Sequence, residues 1–158
     1  MAVRSCAAAP MAALGLAACI ALAAASGPHA VAAPRPGEPT LAASEWSAIK
    51  SVIGAQVAAL KSGDATKAFS YATPGIRAQF GTPGNFLEMV RSAYGALLAA
   101  RYTEFLEGAV IEGQTIQPLR LIAPDNTVQV ALYTMERQRD GRWRIAGCVL
   151  APSTVQAA

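Results

Sequence analysis

The chain has 158 residues, 53% of them hydrophobic, and 13 basic against 10 acidic side chains give a net charge of +3. That length fits one domain, and the near-balance of charge excludes the concentrated basic footprint of a nucleic-acid binder. The mean hydropathy of +0.32 is high for a soluble domain, but it comes mostly from the N-terminus.

Met1 to Arg4 supply a positive start, Met11 to Ala25 form an apolar run, and Ala30-Val31-Ala32 offers a small-x-small cleavage site. The run is shorter than the roughly 20 apolar residues needed to cross a bilayer, and Ser26, Gly27, Pro28 and His29 close it. Residues 1–32 therefore read as a signal peptide cleaved after Ala32. The mature protein is then expected to be periplasmic or secreted, without a transmembrane span. A competing reading takes Leu16-Ala17-Ala18-Cys19 as a lipobox and makes the product a lipoprotein tethered through Cys19. Against it, Ile20 to Ala25 would leave an apolar start on the mature chain.

Cleavage would remove Cys6, Cys19 and the chain's single histidine, His29. A domain without histidine has no Ser-His-Asp or Cys-His catalysis and lacks the commonest ligand of catalytic zinc. Cys148, then alone, has no partner for an internal disulfide. No cofactor, metal or nucleic-acid partner is expected.

Residues 33–43, with Pro34, Pro36, Gly37 and Pro39, read as an extended leader. The domain is expected over 44–152, with 153–158 as a tail. Trp46, Ile49, Val52, Ile53, Val57 and Leu60 recur at helical spacing until Gly63 stops the helix. Asp64 is placed to cap a shorter helix carrying Ala65, Ala68, Phe69 and Ala72 on one face, which Thr73-Pro74 interrupts. Pro74 opens a third helix running to Phe80, and Gly81-Thr82-Pro83-Gly84 breaks the chain again. Asn85 with Glu88 resembles a capping box for a fourth helix bearing Phe86, Met89, Val90, Ala93 and Tyr94.

After residue 101 the period changes to two. Four runs are expected: Tyr102 to Ile111, Gln114 to Ile122, Thr127 to Arg139 and Arg142 to Leu150, joined by turns at Glu112-Gly113, Pro124-Asp125-Asn126 and Asp140-Gly141. Pro118 argues that the second run is an edge or bulged strand. In the last run Trp143, Ile145, Gly147 and Val149 are expected on one apolar face, opposite Arg142, Arg144, Ala146 and Cys148. The order predicts an α+β fold, with N-terminal helices packed on an antiparallel sheet of about four strands.

Trp46, Ile49, Val52-Ile53 and Gln56, then Ala68-Phe69-Ser70-Tyr71-Ala72, Pro74 and Phe80-Gly81 form the first half of a pattern. Phe86, Met89-Val90, Tyr94, Asp140-Gly141, Trp143-Arg144-Ile145 and Gly147-Cys148 complete it. Over residues 46–150 it is similar to bacterial domain-of-unknown-function family 4864. The resemblance implies a cone like that of nuclear transport factor 2, in which helices pack into a curved antiparallel sheet around a pocket. Enzymes of that cone class, such as ketosteroid isomerases and scytalone dehydratases, place Asp, His and Tyr in the pocket. Here the mature chain has no histidine, and Asp64, Asp125 and Asp140 are each explained by a cap or turn.

Gln56, Tyr71, Tyr94 and Trp143 are the candidate pocket-lining residues. Gln56 interrupts an apolar helix face, where a buried amide needs partners, so it serves either as a structural hydrogen-bonding group or as a ligand contact. Both tyrosines carry a polar tip on a core-forming body. Cys148 reads as a buried, inert thiol with a raised pKa, an intermolecular disulfide being the alternative. Arg137, Arg139, Arg142 and Arg144 around the last turn form a positive rim that suits solvation and edge protection, with contact to an anionic ligand or partner as the alternative.

The leading expectation is a noncatalytic exported domain holding a small apolar or amphipathic molecule between helices and sheet. Two others compete: a module for homodimerisation or for docking an envelope protein, and an isomerase- or dehydratase-like enzyme.

Overall fold

The structure, a computed structural model, describes residues 41–153. The expected signal peptide with Cys19 and His29, residues 33–40 of the expected leader and all but the first residue of the expected tail lie outside the described residues.

Helix α1 (Ala43–Ser62) buries Ile49, Ile53, Gln56, Val57, Ala59 and Leu60 along one stripe. Gly63 ends it at φ 76°, donating its N–H back into the last turn, a left-handed stop that glycine adopts without a Cβ penalty. The Asp64 side chain accepts from Lys67 N at 3.0 Å and starts α2 (Ala65–Ser70). Thr73 caps α3 (Pro74–Phe80) with proline in the first turn.

The next helix differs from expectation. α4 (Pro83–Ala93) begins two residues before Asn85, because Thr82 accepts from the Asn85 N–H at 3.2 Å and Pro83 suits the first helical position. Asn85 instead turns its side-chain amide to the Phe80 carbonyl at 3.1 Å. A fifth helix, α5 (Gly95–Ala99), follows after Tyr94 and buries Leu97, so five helical pieces precede the sheet rather than four.

The fold is α+β, and its open antiparallel sheet has five strands, not four. β1 (Tyr102–Phe105) and β2 (Ala109–Ile111) both pair with β3 (Gln114–Ile122), which pairs with β4 (Val128–Arg137) and then β5 (Trp143–Pro152). The run from Tyr102 to Ile111 is split because the chain steps out of the ladder at Leu106 to Gly108. That step also accommodates Pro118, which sits in a strand paired on both sides. Its carbonyl accepts from Leu106 N at 3.1 Å. The nitrogen of a strand residue faces the same side as its carbonyl, so the missing N–H is directed at the gap between β1 and β2. The edge-or-bulge expectation for Pro118 is thereby corrected: the outer neighbour breaks, not the strand. Gln117, fully buried, supplies the lost donor by giving its side-chain amide to the Leu106 carbonyl at 2.8 Å and the Pro118 carbonyl at 3.0 Å.

The three expected turns are present, and each holds a residue at positive φ, in the β3–β4 connection Asn126 at 66°. Glu112 and Gly113, at 51° and 77°, form the tight β2–β3 hairpin. Gly141, at 81°, donates to the Gln138 carbonyl and closes the β4–β5 connection.

The β4–β5 register runs Tyr133 to Cys148 and Thr134 to Gly147, then skips to Met135 with Ile145. Ala146 is the extra residue, and past it the side-chain alternation reverses. Trp143 and Ile145 face the core as expected, but beyond the bulge Cys148 and Leu150 face inward while Val149 is 63% exposed. The single-face reading of Trp143, Ile145, Gly147 and Val149 is corrected accordingly.

The apolar interior forms two clusters. One joins the N-terminal part of α1 and Leu97 to the inner sheet residues Leu119, Leu121, Ala131, Tyr133, Met135, Trp143 and Ile145. The other joins Ala59 and Leu60 to Ala68, Phe69, Phe86, Leu87 and Val90 of α2 and α4, where the Phe69, Phe80 and Phe86 rings meet at 5.4 and 5.6 Å. Tyr94 packs against both.

Candidate functional site

Between the two clusters lies a cavity of about 230 Å³. Leu60, Phe86 and Val90 line it from the helical side, and Leu97, Tyr133, Ile145 and Cys148 from the other. Gln79 in its lining is exposed and Ile76, Phe80 and Met89 are half-buried, so it opens to solvent between α3 and α4.

Apart from the exposed Gln79, each polar side chain in the wall has a defined setting. Gln56, 4% exposed, donates its amide to the Ala68 carbonyl at 3.2 Å. It thus performs the structural hydrogen bond and lines the cavity as well. The Tyr94 hydroxyl donates to the Cys148 carbonyl at 2.5 Å and fastens the α4–α5 junction to β5. Tyr133 is 1% exposed, and its hydroxyl has no oxygen or nitrogen partner. Its polar neighbour is the thiol of Cys148, its ladder partner on β5, and a thiol is only a weak donor and acceptor.

Burial dominates the electrostatics. It pushes the Cys148 thiol up to about 12 and raises the hydroxyls of Tyr94 and Tyr133 above the usual tyrosine value, Tyr133 strongly. All three are neutral near pH 7. Among the described residues no Asp, Glu, Lys or Arg lines the cavity, and no group of three or more His, Cys, Asp or Glu could hold a metal ion. The cavity can therefore bury apolar matter and offer a few neutral hydrogen bonds. Among the described residues no helix is long and apolar enough to cross a membrane.

The four residues singled out from sequence separate into two pairs. Gln56 and Tyr94 line the cavity, whereas Tyr71 and Trp143 line a shallow hollow with Glu45, Val52 and Arg137. There the Trp143 indole N–H donates to Glu45 Oε2 at 2.5 Å, and Arg137 pairs with the same carboxylate at 3.3 Å. Tyr71 acts through its backbone: its carbonyl accepts from Ile145 N, and Thr73 N donates to the Ile145 carbonyl, both at 2.9 Å. This short bridge seats the α2–α3 junction against β5. Two other arginines of the rim are engaged locally, Arg142 with Asp140 at 3.2 Å and Arg144 with the Ser70 carbonyl.

Sequence reasoning missed Tyr133. A signal was present, since Ala131, Tyr133 and Met135 alternate along one face of β4, but nothing in that pattern distinguishes a tyrosine whose hydroxyl lacks an oxygen or nitrogen partner.

A family model described as Domain of unknown function (DUF4864) matches residues 42–158. No curated protein and no solved structure matches the chain.

Proposed function

The chain belongs to the DUF4864 family, and from that premise we propose that it is an exported, noncatalytic binding module whose helix–sheet cavity holds a small apolar or amphipathic molecule. The observation that carries this reading is the cavity itself, about 230 Å³ left open where two apolar clusters meet. Close packing normally leaves few voids larger than a water molecule. A predominantly apolar concavity with a few polar groups is the usual form of a small-molecule site. The noncatalytic character is supported by a lining that, among the described residues, holds no carboxylate or imidazole. Export to the periplasm or beyond is supported by the charged start, apolar run and cleavage site in residues 1–32.

A cone-like form akin to nuclear transport factor 2 belongs to the same proposal. The bulge at Ala146 and the break between β1 and β2 are devices that bend a sheet, and the helices precede it in the chain as such a cone requires.

Native mass spectrometry of the protein taken gently from its producing cell, followed by denaturation, tests the reading. A stoichiometric small-molecule adduct lost on denaturation, on a chain starting at Ala33, is the expected outcome. A ligand-free dimer or heteromer would favour an interaction module instead. That second reading draws on Leu132 and Val149, ladder partners exposed at 37% and 63% on the outer sheet face.

A further inference from the structure

We infer that the cavity takes a neutral, largely apolar molecule of about nine non-hydrogen atoms carrying one carbonyl or hydroxyl oxygen, which the buried hydroxyl of Tyr133 holds. The inference rests on the binding reading above and specifies its ligand. Size follows from volume: an apolar cavity of about 150 Å³ takes the six carbons of benzene, and 230 Å³ scales to about nine atoms.

Neutrality follows from the wall. A charged ligand would give up its hydration and meet no countercharge, since, among the described residues, Asp, Glu, Lys and Arg are all missing from the lining. The oxygen follows from accounting for the donors. Tyr94 spends its hydroxyl proton on the Cys148 carbonyl, and Gln56 spends one amide proton on the Ala68 carbonyl. Tyr133 alone among the cavity's phenols has a buried hydroxyl with nothing better to bond than the Cys148 thiol, a weak acceptor, and burying such a group poorly paired is costly. A ligand oxygen beside it would remove that cost. Burial holds this phenol protonated far above neutral pH, so the donor is always present.

The test uses three probes of nine non-hydrogen atoms each: acetophenone, isopropylbenzene and benzoate. Their affinities for the full chain are followed through backbone amide NMR shifts at the cavity wall. Tyr133→Phe is expected to weaken acetophenone about fivefold to tenfold, the worth of one neutral hydrogen bond, and to leave isopropylbenzene unchanged within twofold. Benzoate is expected not to bind. An equal effect of Tyr133→Phe on both neutral probes, as a fixed water on Tyr133 would give, overturns the oxygen anchor and leaves the cavity reading standing. Benzoate binding more tightly than acetophenone overturns neutrality in the same way. If none of the three shifts the cavity amides, the binding reading itself fails. Should Tyr133→Phe not fold, the infrared carbonyl band of carbon-13-labelled acetophenone bound to the unmodified chain decides: a hydrogen-bonded position supports the anchor, and an alkane-like position overturns it.

Discussion

Cys148 couples the interior of this domain to pH. Its thiol is pushed from about 9 in the unfolded chain up to about 12 by burial, so the folded form holds its proton more tightly. The resulting stabilisation is complete below pH 9 and is lost as pH rises from about 9 toward 12. The raised hydroxyls of Tyr94 and Tyr133 extend the loss in the same direction at higher pH. Urea midpoints are therefore expected to fall steadily through this alkaline window, and to fall less steeply in Cys148→Ala. At pH 8 the thiolate is so scarce that iodoacetamide should label Cys148 in the native chain more slowly than in the urea-unfolded chain by a factor on the order of 10³, read by mass spectrometry of the Cys148 peptide. The inert thiol was legible in sequence from its setting between Gly147 and Val149 in a strand. Gln56 was legible too, as a polar residue breaking an apolar stripe. The poor pairing of the Tyr133 hydroxyl was not, because it depends on which groups from α4, α5 and β5 reach it.

At the scale of elements, two side chains, Trp46 and Gln117, hold the break between β1 and β2. A Cβ on Gly108 would come within 3.0 Å of the Trp46 ring carbons, so the indole lies directly on the glycine backbone. Gly108→Ala is expected to cost about 1–3 kcal/mol by forcing Trp46 out of its packing, measurable as a lowered midpoint in thermal or urea unfolding. On the inner face, Gln117→Leu would strip the Leu106 carbonyl of the donor that Pro118 cannot provide. An expected loss of about 1–3 kcal/mol is checked by the same unfolding curves. The helix boundaries at Gly63, Asp64 and Pro74 were readable because caps and stops act within a few residues. The start of α4 was misplaced because two cap candidates, Thr82 and Asn85, lie three residues apart, and only the geometry of Pro83 selects between them. The split of the first strand was unreadable locally. Its cause, Pro118, lies about ten residues downstream and acts across the ladder.

For the whole molecule, helices followed by strands were enough to give the α+β layering, since period-3.6 and period-2 segments occupy separate halves of the chain. The two-cluster interior could not be read the same way, because it arises from how α2 to α4 turn away from the sheet. That division predicts unequal stability. α3 contributes no buried residue, and its half-buried Ile76 and Phe80 sit between the cavity and the edge of the second cluster. Its amides are expected to exchange by local opening, at least tenfold faster than those of β3 and β4, which pair with neighbours on both sides. Hydrogen exchange followed by mass spectrometry checks this, and a bound ligand should narrow the difference by filling the seam that Tyr94 spans.

Ala146 bears on how the gene can vary. Two residues rather than one separate the inward-facing Ile145 and Cys148 of β5, and Ala146 is the extra one. Exchange of that alanine for another small residue keeps the count and should pass unnoticed. Loss of its codon would remove that extra residue and leave Ile145, Cys148 and Leu150 at regular alternate positions on the inward face, so an in-frame deletion at Ala146 should be tolerated far better than deletion of a paired neighbour such as Cys148, which takes an inward side chain from the core.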